Sequence, residues 1–254
     1  MSLYFSLSKS IVGRVFITLI AALLCALCSL VETSAQQRRR VPITNRSAVV
    51  VDERLAVLRD GPELSARLLQ RMSRGRVVLI LGTKRTSDGL TFYRVAVTRR
   101  TGGWLQSEAV VSPGRSGDDE RLLRLIRGSE DFDRVVRARI FLDLFPRSPA
   151  RPQVLSIYAE AAEAAATRLS RDASRRLNER EMAANGAPLF SYYLSYSGLD
   201  RYRRQGITFT FNRASKQFHY DGESWREILR RYPRSPEAEE ARKRLDALST
   251  NSTQ

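Results

Sequence analysis

The sequence of 254 residues contains 43 Lys and Arg against 27 Asp and Glu, a net charge of +16, but only one histidine and two cysteines. Both cysteines, Cys25 and Cys28, lie in an apolar N-terminal run, so a chain cleaved after that run has no disulfide, no cysteine-rich zinc site and no cysteine nucleophile. The single histidine, His219, excludes a metal site that needs two or more imidazoles.

The first 35 residues have the three parts of a secretory signal. Lys9 and Arg14 precede an apolar run over residues 15–31, and small residues up to Ala35 follow it, which places cleavage after Ala35. The run also reaches the lower limit of a membrane span. Residues 1–35 are therefore predicted to be a signal peptide or an uncleaved membrane anchor, which indicates a periplasmic or secreted chain that is cleaved or anchored.

Residues 36–46 form a basic linker with four arginines and no acid. Arg38, Arg39 and Arg40 could contact anionic lipid or an anionic cell-wall polymer, although a solubilising tether would have the same composition. Positive charge next to an apolar segment tends to stay in the cytoplasm. These arginines therefore also support an alternative hypothesis, a membrane-anchored cytoplasmic adaptor.

Short apolar, β-rich segments recur over residues 47–112 and are separated by turns rich in Gly, Pro and Asp. The segments lie at residues 48–51, 55–58, 77–81, 92–97 and 104–105. Turns such as Asp60-Gly61-Pro62 and Ser87-Asp88-Gly89 lie between them. A stretch of this length fits a small β-barrel better than a sandwich.

The same stretch resembles the bacterial SH3 (SH3b-like) domain family. The motifs that carry the resemblance are Leu58-Arg59-Asp60-Gly61-Pro62, Arg74-Gly75 before Val77-Val78, Phe92-Tyr93 and Gly103-Trp104-Leu105. Members usually have tryptophan where this chain has Phe92 or Tyr93. The resemblance implies an SH3-like barrel over residues 47–112, an extracytoplasmic module that binds cell-wall peptides or supports a neighbouring domain.

Three residues of this stretch are candidates for ligand contact. Tyr93 and Trp104 offer flat apolar faces, and Arg59 can bind a carboxylate with two parallel hydrogen bonds. Carboxylates occur in peptidoglycan stem peptides, so the chemistry fits. The structural alternative is that the tryptophan packs in the core and the arginine only supports the turn.

Residues 113–254 have helical spacing and a repeated corner. Pro146-Arg147-Ser148-Pro149 returns as Pro233-Arg234-Ser235-Pro236, each time after an aromatic residue and before an Ala-rich helix. This corner resembles the tetratricopeptide-like (TPR-like) repeats of bacterial periplasmic cell-envelope proteins. The fold class predicted for the whole chain is therefore a small SH3-like β-barrel followed by an all-α TPR-like helical-repeat domain with an inserted β-hairpin.

The hairpin is predicted near residues 207–220, where apolar and polar residues alternate on both sides of a turn. A tyrosine-rich stretch precedes it. Tyr193, Tyr196 and Tyr202 could line a partner groove, since tyrosine is frequent at binding hot spots. A local clasp that covers the helix ends is the favoured explanation of these aromatic residues.

The chain has no P-loop, Rossmann or G-x-S-x-G motif. His219 lies near Asp221 and Ser224, which leaves a hydrolase as a remote alternative, although residues so close in sequence usually form a turn network. The chain is therefore predicted to need no cofactor and no metal.

The leading hypothesis is a non-enzymatic, exported cell-envelope protein. Its SH3-like module would contact peptidoglycan or a protein partner, and its helical repeats would act as a protein-interaction scaffold. Specific nucleic-acid binding is not expected, because residues 113–254 hold 26 basic against 20 acidic residues and have no recognised nucleic-acid module.

Overall fold

A computed structural model describes residue 44 and residues 46–252 of the chain. The predicted signal or anchor over residues 1–35 lies outside the described residues, and so do Arg38, Arg39 and Arg40 of the linker. Within the described part, no helix has both the length and the apolar character that a membrane crossing requires.

Seven antiparallel strands form one curled sheet with the order β3-β2-β6-β5-β4-β1-β7. A 3₁₀ turn, Ser107–Ala109, joins the sixth strand to the seventh. The strands are Ser47–Val50 (β1), Val57–Arg59 (β2), Leu68–Arg71 (β3), Val77–Arg85 (β4), Thr91–Ala96 (β5), Gly102–Gln106 (β6) and Val110–Val111 (β7).

Strand β1 is buried on both of its faces because its alternate residues enter two different cores. Ala48 and Val50 belong to the inner core of the sheet, the apolar cluster enclosed by its curl. Val49 and the following Val51 belong to a larger core that they share with the helices. The sheet is therefore fixed to the helical region by the face that points away from its curl.

The helices of the described residues fall into two groups, a set of five that pack on one another and a set of three short ones. The first set is Asp118–Arg127 (α1), Asp131–Leu144 (α2), Arg151–Arg176 (α3), Glu223–Arg231 (α7) and Glu237–Ser252 (α8). The short ones are Glu179–Asn185 (α4), Leu189–Leu194 (α5) and Asp200–Arg203 (α6).

Strand β7 is an edge of the sheet, and a side chain of α1 occupies it. Arg121 donates hydrogen bonds to the carbonyl oxygens of Glu108 and Val110. Asp118, at the start of α1, orients this guanidinium at 3.1 Å and accepts a hydrogen bond from the backbone N–H of Ser112 at 2.8 Å. An arginine thus occupies carbonyl groups that a further strand would use.

The predicted fold class, a small SH3-like β-barrel followed by an all-α TPR-like helical-repeat domain with an inserted β-hairpin, is wrong. The sheet is an open half-barrel, because β3 and β7 stand at opposite ends of the strand order. Closure would require β7 to pair with β3, but α1 covers β7, and β1 beside it packs on the helices. The helical region is only loosely comparable to helical repeats, because short helices and a hairpin interrupt it.

The two repeated corners nevertheless have the same backbone hydrogen bonds. The N–H of Ser148 donates to the carbonyl oxygen of Phe145 at 3.2 Å, and that of Ser235 donates to Tyr232 at 3.0 Å. Three residues further along, the N–H groups of Arg151 and Ala238 donate to the carbonyl oxygens of Ser148 and Ser235. Each corner therefore ends one helix and starts the next, which produces the antiparallel pairs α2–α3 and α7–α8.

The insert between these pairs contains a hairpin of Phe209–Asn212 (β8) and Gln217–Tyr220 (β9), inside the predicted interval. Its apolar face packs on the short helices, where Tyr193 stacks on Phe211 with 4.6 Å between ring centroids. The hairpin is held to α3 by Ser170, whose hydroxyl oxygen accepts a hydrogen bond from the N–H of Phe218 at 2.8 Å.

Candidate functional site

Two of the three ligand-contact candidates, Arg59 and Trp104, face each other on neighbouring strands of the sheet. Arg59 of β2 is paired with Trp104 of β6, which is paired in turn with Arg94 of β5. Leu68 of β3 and Gly82 of β4 extend the same line of partners. We call these five positions the transverse row.

The transverse row lies on the face of the sheet that points away from its inner core. Leu58, Val95 and Leu105, each adjacent along the chain to a member of the row, are buried in the inner core. Because successive side chains of a strand point to opposite faces, Arg59, Arg94 and Trp104 point outward. Accordingly, Arg94 is exposed, while Arg59 and Trp104 are half-buried.

A glycine lets β2 and β6 approach closely at this row. A Cβ atom placed on Gly103 would lie 2.5 Å from the carbonyl oxygen of Arg59 and 3.0 Å from the Cγ of Leu58. Any larger residue would push the two strands apart, because a backbone oxygen cannot move out of the way as the end of a flexible side chain can. Gly103 therefore sets the spacing between Arg59 and Trp104.

The two arginines of the row differ in how they are held. Arg59 donates from Nη1 to the carbonyl oxygen of Ala66 at 2.7 Å, which orients its guanidinium along the turn between β2 and β3. Arg94 has no hydrogen bond or ion pair from its side chain to the part of the chain that the structure describes. One guanidinium is thus pre-oriented and the other is available to a ligand.

Exposed leucines add apolar surface within the row, at Leu68, and beside it on β4. Leu68 is 46% exposed, and Leu79 and Leu81 of β4 are 41% and 58% exposed. Leu79 is paired with Ala96, which shares the outward face of β5 with Arg94. We call the transverse row together with Leu79 and Leu81 the outer-sheet surface. It combines one aromatic ring, several apolar side chains and two cations.

Tyr93, the third candidate, points to the other face of the sheet. It packs against the inner core, and its hydroxyl oxygen accepts a hydrogen bond from Nη1 of Arg115 at 3.1 Å. The structure therefore brings Arg59 and Trp104 together and separates Tyr93 from both. It adds Arg94, which sequence reasoning missed, since the strand alternation around Phe92–Val97 was visible but its partner on β6 was not.

The three tyrosines proposed to line a partner groove are buried. Tyr193 and Tyr202 are each 1% exposed and Tyr196 is 8% exposed. Tyr202 makes edge-to-face contacts with Phe132 and Phe209, at 5.1 and 5.8 Å between ring centroids. These rings fill the core between the insert and the helices, as expected of a local clasp.

The residues around His219 are engaged in structural hydrogen bonds. Tyr220 donates from its hydroxyl to Oγ of Ser224 at 2.9 Å, and burial raises the pKa of Tyr220 to about 12, so this hydroxyl keeps its proton. Asp221 accepts a hydrogen bond from the N–H of Glu223 at the start of α7. In the described chain, Nε2 of His219 is buried and has no hydrogen-bond partner.

No group of three or more His, Cys, Asp or Glu residues suited to a metal ion occurs among the described residues. Comparison with known proteins finds no family model, no curated protein and no solved structure that matches the chain.

Proposed function

We propose that the protein is a non-enzymatic binding protein of the cell envelope, and that its outer-sheet surface binds peptides that carry carboxylates, such as peptidoglycan stem peptides. The observation that carries the proposal is the transverse row, in which two arginines flank a tryptophan in register. The N-terminal sequence pattern of residues 1–35 supports export to the compartment where such peptides occur.

The spacing of the row suits a short peptide. Directly paired residues on neighbouring strands are about 5 Å apart, so the backbones of Arg59 and Arg94 are separated by about 10 Å across Trp104. A guanidinium binds a carboxylate through charge-assisted hydrogen bonds, which are stronger than neutral ones. Between the two cations, the half-buried indole offers apolar area to the peptide backbone and its methyl groups, and Leu68 extends that area on the other side of Arg59.

Binding to purified peptidoglycan sacculi at physiological salt tests the proposal. The chain should sediment with intact sacculi and remain in the supernatant with sacculi whose stem peptides have been removed by an amidase. Arg94→Gln should weaken binding by about tenfold, the loss expected for one charge-assisted hydrogen bond. Arg94 is preferred to Arg59 for this test because Arg59 also holds the turn at Ala66.

Arg100→Gln is the matched control, because Arg100 is an exposed arginine of the same sheet region outside the transverse row. It removes the same charge and should leave binding unchanged. If Arg100→Gln weakens binding as much as Arg94→Gln, only the net charge matters and the proposal fails. It fails equally if the unaltered chain stays in the supernatant with intact sacculi.

A further inference from the structure

A second opening of the chain lies on the helical side, away from the outer-sheet surface. The helix α3, the strand β9 and the helix α8 enclose a cavity of about 420 Å³. A neighbouring opening of about 440 Å³ lies between α3 and the turn of the hairpin. Ser170, Arg171 and Gln217 line both, so the two form one continuous groove, which we call the α3–hairpin groove.

The inner part of the groove, which is the cavity of about 420 Å³, has one polar wall whose charge is neutralised and one apolar wall. Glu163 accepts hydrogen bonds from Nε1 of Trp225 at 2.7 Å and from Nη1 of Arg244 at 3.0 Å, so both of its oxygens are engaged. Ala247 and Leu248 of α8 supply apolar surface opposite. This part suits an uncharged, apolar group.

His219 of β9 also lines the inner part. Its Nε2 atom is buried within the protein and is therefore out of reach of a ligand in the groove.

The outer part of the groove, which is the opening of about 440 Å³ beside the hairpin turn, is cationic. Arg171, Arg175 and Lys216 line it together with Ser174 and Ser215. Arg175 forms an ion pair with Asp172 at 2.8 Å, whereas Arg171 forms none with the described residues. Guanidinium groups bind carboxylates through charge-assisted hydrogen bonds. The charge of this part is therefore complementary to an anion.

We propose that the α3–hairpin groove binds an acidic peptide segment, with an apolar side chain in the inner part and a neighbouring carboxylate on Arg171. This site is distinct from the outer-sheet surface. It would give the helical region a partner of its own, recognised by one apolar residue and the acidic residue that adjoins it.

Fluorescence anisotropy with a labelled synthetic peptide of alternating Asp and Leu tests this site. The full-length chain is used with the Arg94→Gln change in place, so that the outer-sheet surface contributes little to peptide binding. A failure of the α3–hairpin groove proposal can then be distinguished from a failure of the outer-sheet surface proposal. A second peptide with Asn in place of every Asp measures the contribution of the carboxylates, and it should bind at least about tenfold more weakly.

Three further changes in that chain separate the groove from general electrostatics. Arg171→Gln should weaken binding of the acidic peptide by about tenfold, as for one charge-assisted hydrogen bond. Arg176→Gln removes the same charge from an exposed position of α3 that does not line the groove, and it should leave the affinity unchanged. Ala247→Trp changes no charge but fills the inner part from the exposed face of α8, and it should also weaken binding.

The proposal is overturned if Arg176→Gln weakens binding as much as Arg171→Gln, or if the Asn peptide binds as well as the Asp peptide. It is also overturned if Ala247→Trp has no effect, since the inner part would then be unused. Circular dichroism spectra of the variants that match the parent spectrum exclude unfolding as the cause of a loss.

Discussion

Nε of Arg137 in α2 donates a hydrogen bond to the carbonyl oxygen of Val51 at 3.0 Å, which joins the helical region to the sheet across 86 residues of sequence. The same guanidinium donates from Nη1 to Oγ of Ser129 at 2.6 Å. Burial lowers the pKa of Arg137, because the charged form loses hydration, and these bonds offset that loss. One buried arginine of α2 therefore helps to hold the sheet on the helical region.

Replacing this arginine should destabilise the whole described unit. Arg137→Met keeps the unbranched stem but leaves the carbonyl oxygen of Val51 and the hydroxyl of Ser129 without their donor. An unsatisfied buried group costs about 1–3 kcal/mol, so the free energy of unfolding in urea should fall by about that amount. Arg127→Met, at an exposed site of α1, is the control and should change it by less than about 0.5 kcal/mol. Equal effects of the two changes would show that the bond to Val51 contributes nothing.

Two ion pairs close to Arg137 also predict how stability depends on acid. The pKa of Asp133 is lowered chiefly by its hydrogen bonds to Arg74, at 2.5 and 3.0 Å, and the pKa of Asp52 is lowered chiefly by its hydrogen bond to Arg54. A carboxyl whose pKa is lowered on folding binds fewer protons in the folded state. It therefore stabilises the fold above its unfolded pKa of about 3.9, and that contribution is lost as the pH falls through the folded pKa.

We expect the midpoint of thermal unfolding, followed by circular dichroism, to fall as the pH is lowered from about 4 toward 2. Asp133→Asn should lower the midpoint at pH 7 and make its fall in acid shallower. The effect should stay below about 1 kcal/mol because the Asp133 side chain is 52% exposed and solvent screens the pair. Glu181→Gln, at an exposed site of α4, should leave the acid profile unchanged. An Asp133→Asn profile parallel to that of the parent chain would contradict the assignment.

Several strands were predictable from short apolar segments, but the way the sheet ends was not. Residues 77–81 and 92–97 fall within or largely within β4 and β5, because short β-rich segments bounded by turn residues indicate strands. In β1, by contrast, Ala48 and Val49 are both apolar, and a run that is apolar on both faces fits a barrel strand as well as a strand between two cores. Only the positions of the helices decide between these, and no local pattern encodes them.

The candidate site was half visible in the sequence for a related reason. Arg59 and Trp104 stand next to turn motifs, which draw attention to them, whereas Arg94 lies in mid-strand and gains its role only from its pairing with Trp104. That pairing is set by the register between β5 and β6, which the sequence of neither strand encodes alone. Tyr193 and Tyr202 were proposed to line a groove but are buried. The residue type alone does not distinguish an aromatic side chain in a groove from one in a core.

Gly103 provides a test that links the fold to the proposed site. Gly103→Ala would place a methyl group 2.5 Å from the carbonyl oxygen of Arg59, so β2 and β6 must separate and Arg59 must move relative to Trp104. Overpacking of this kind costs about 1–3 kcal/mol of unfolding free energy, measured in urea. Gly128→Ala, at the end of α1 and outside the transverse row, is the control, because its Cβ would lie 3.6 Å from the carbonyl oxygen of Arg124, an ordinary contact. Binding to sacculi should fall in Gly103→Ala at a temperature where the variant remains folded, and it should persist in Gly128→Ala. If Gly103→Ala is less stable but binds sacculi normally, the spacing of Arg59 and Trp104 serves the fold alone and the ligand must bind elsewhere.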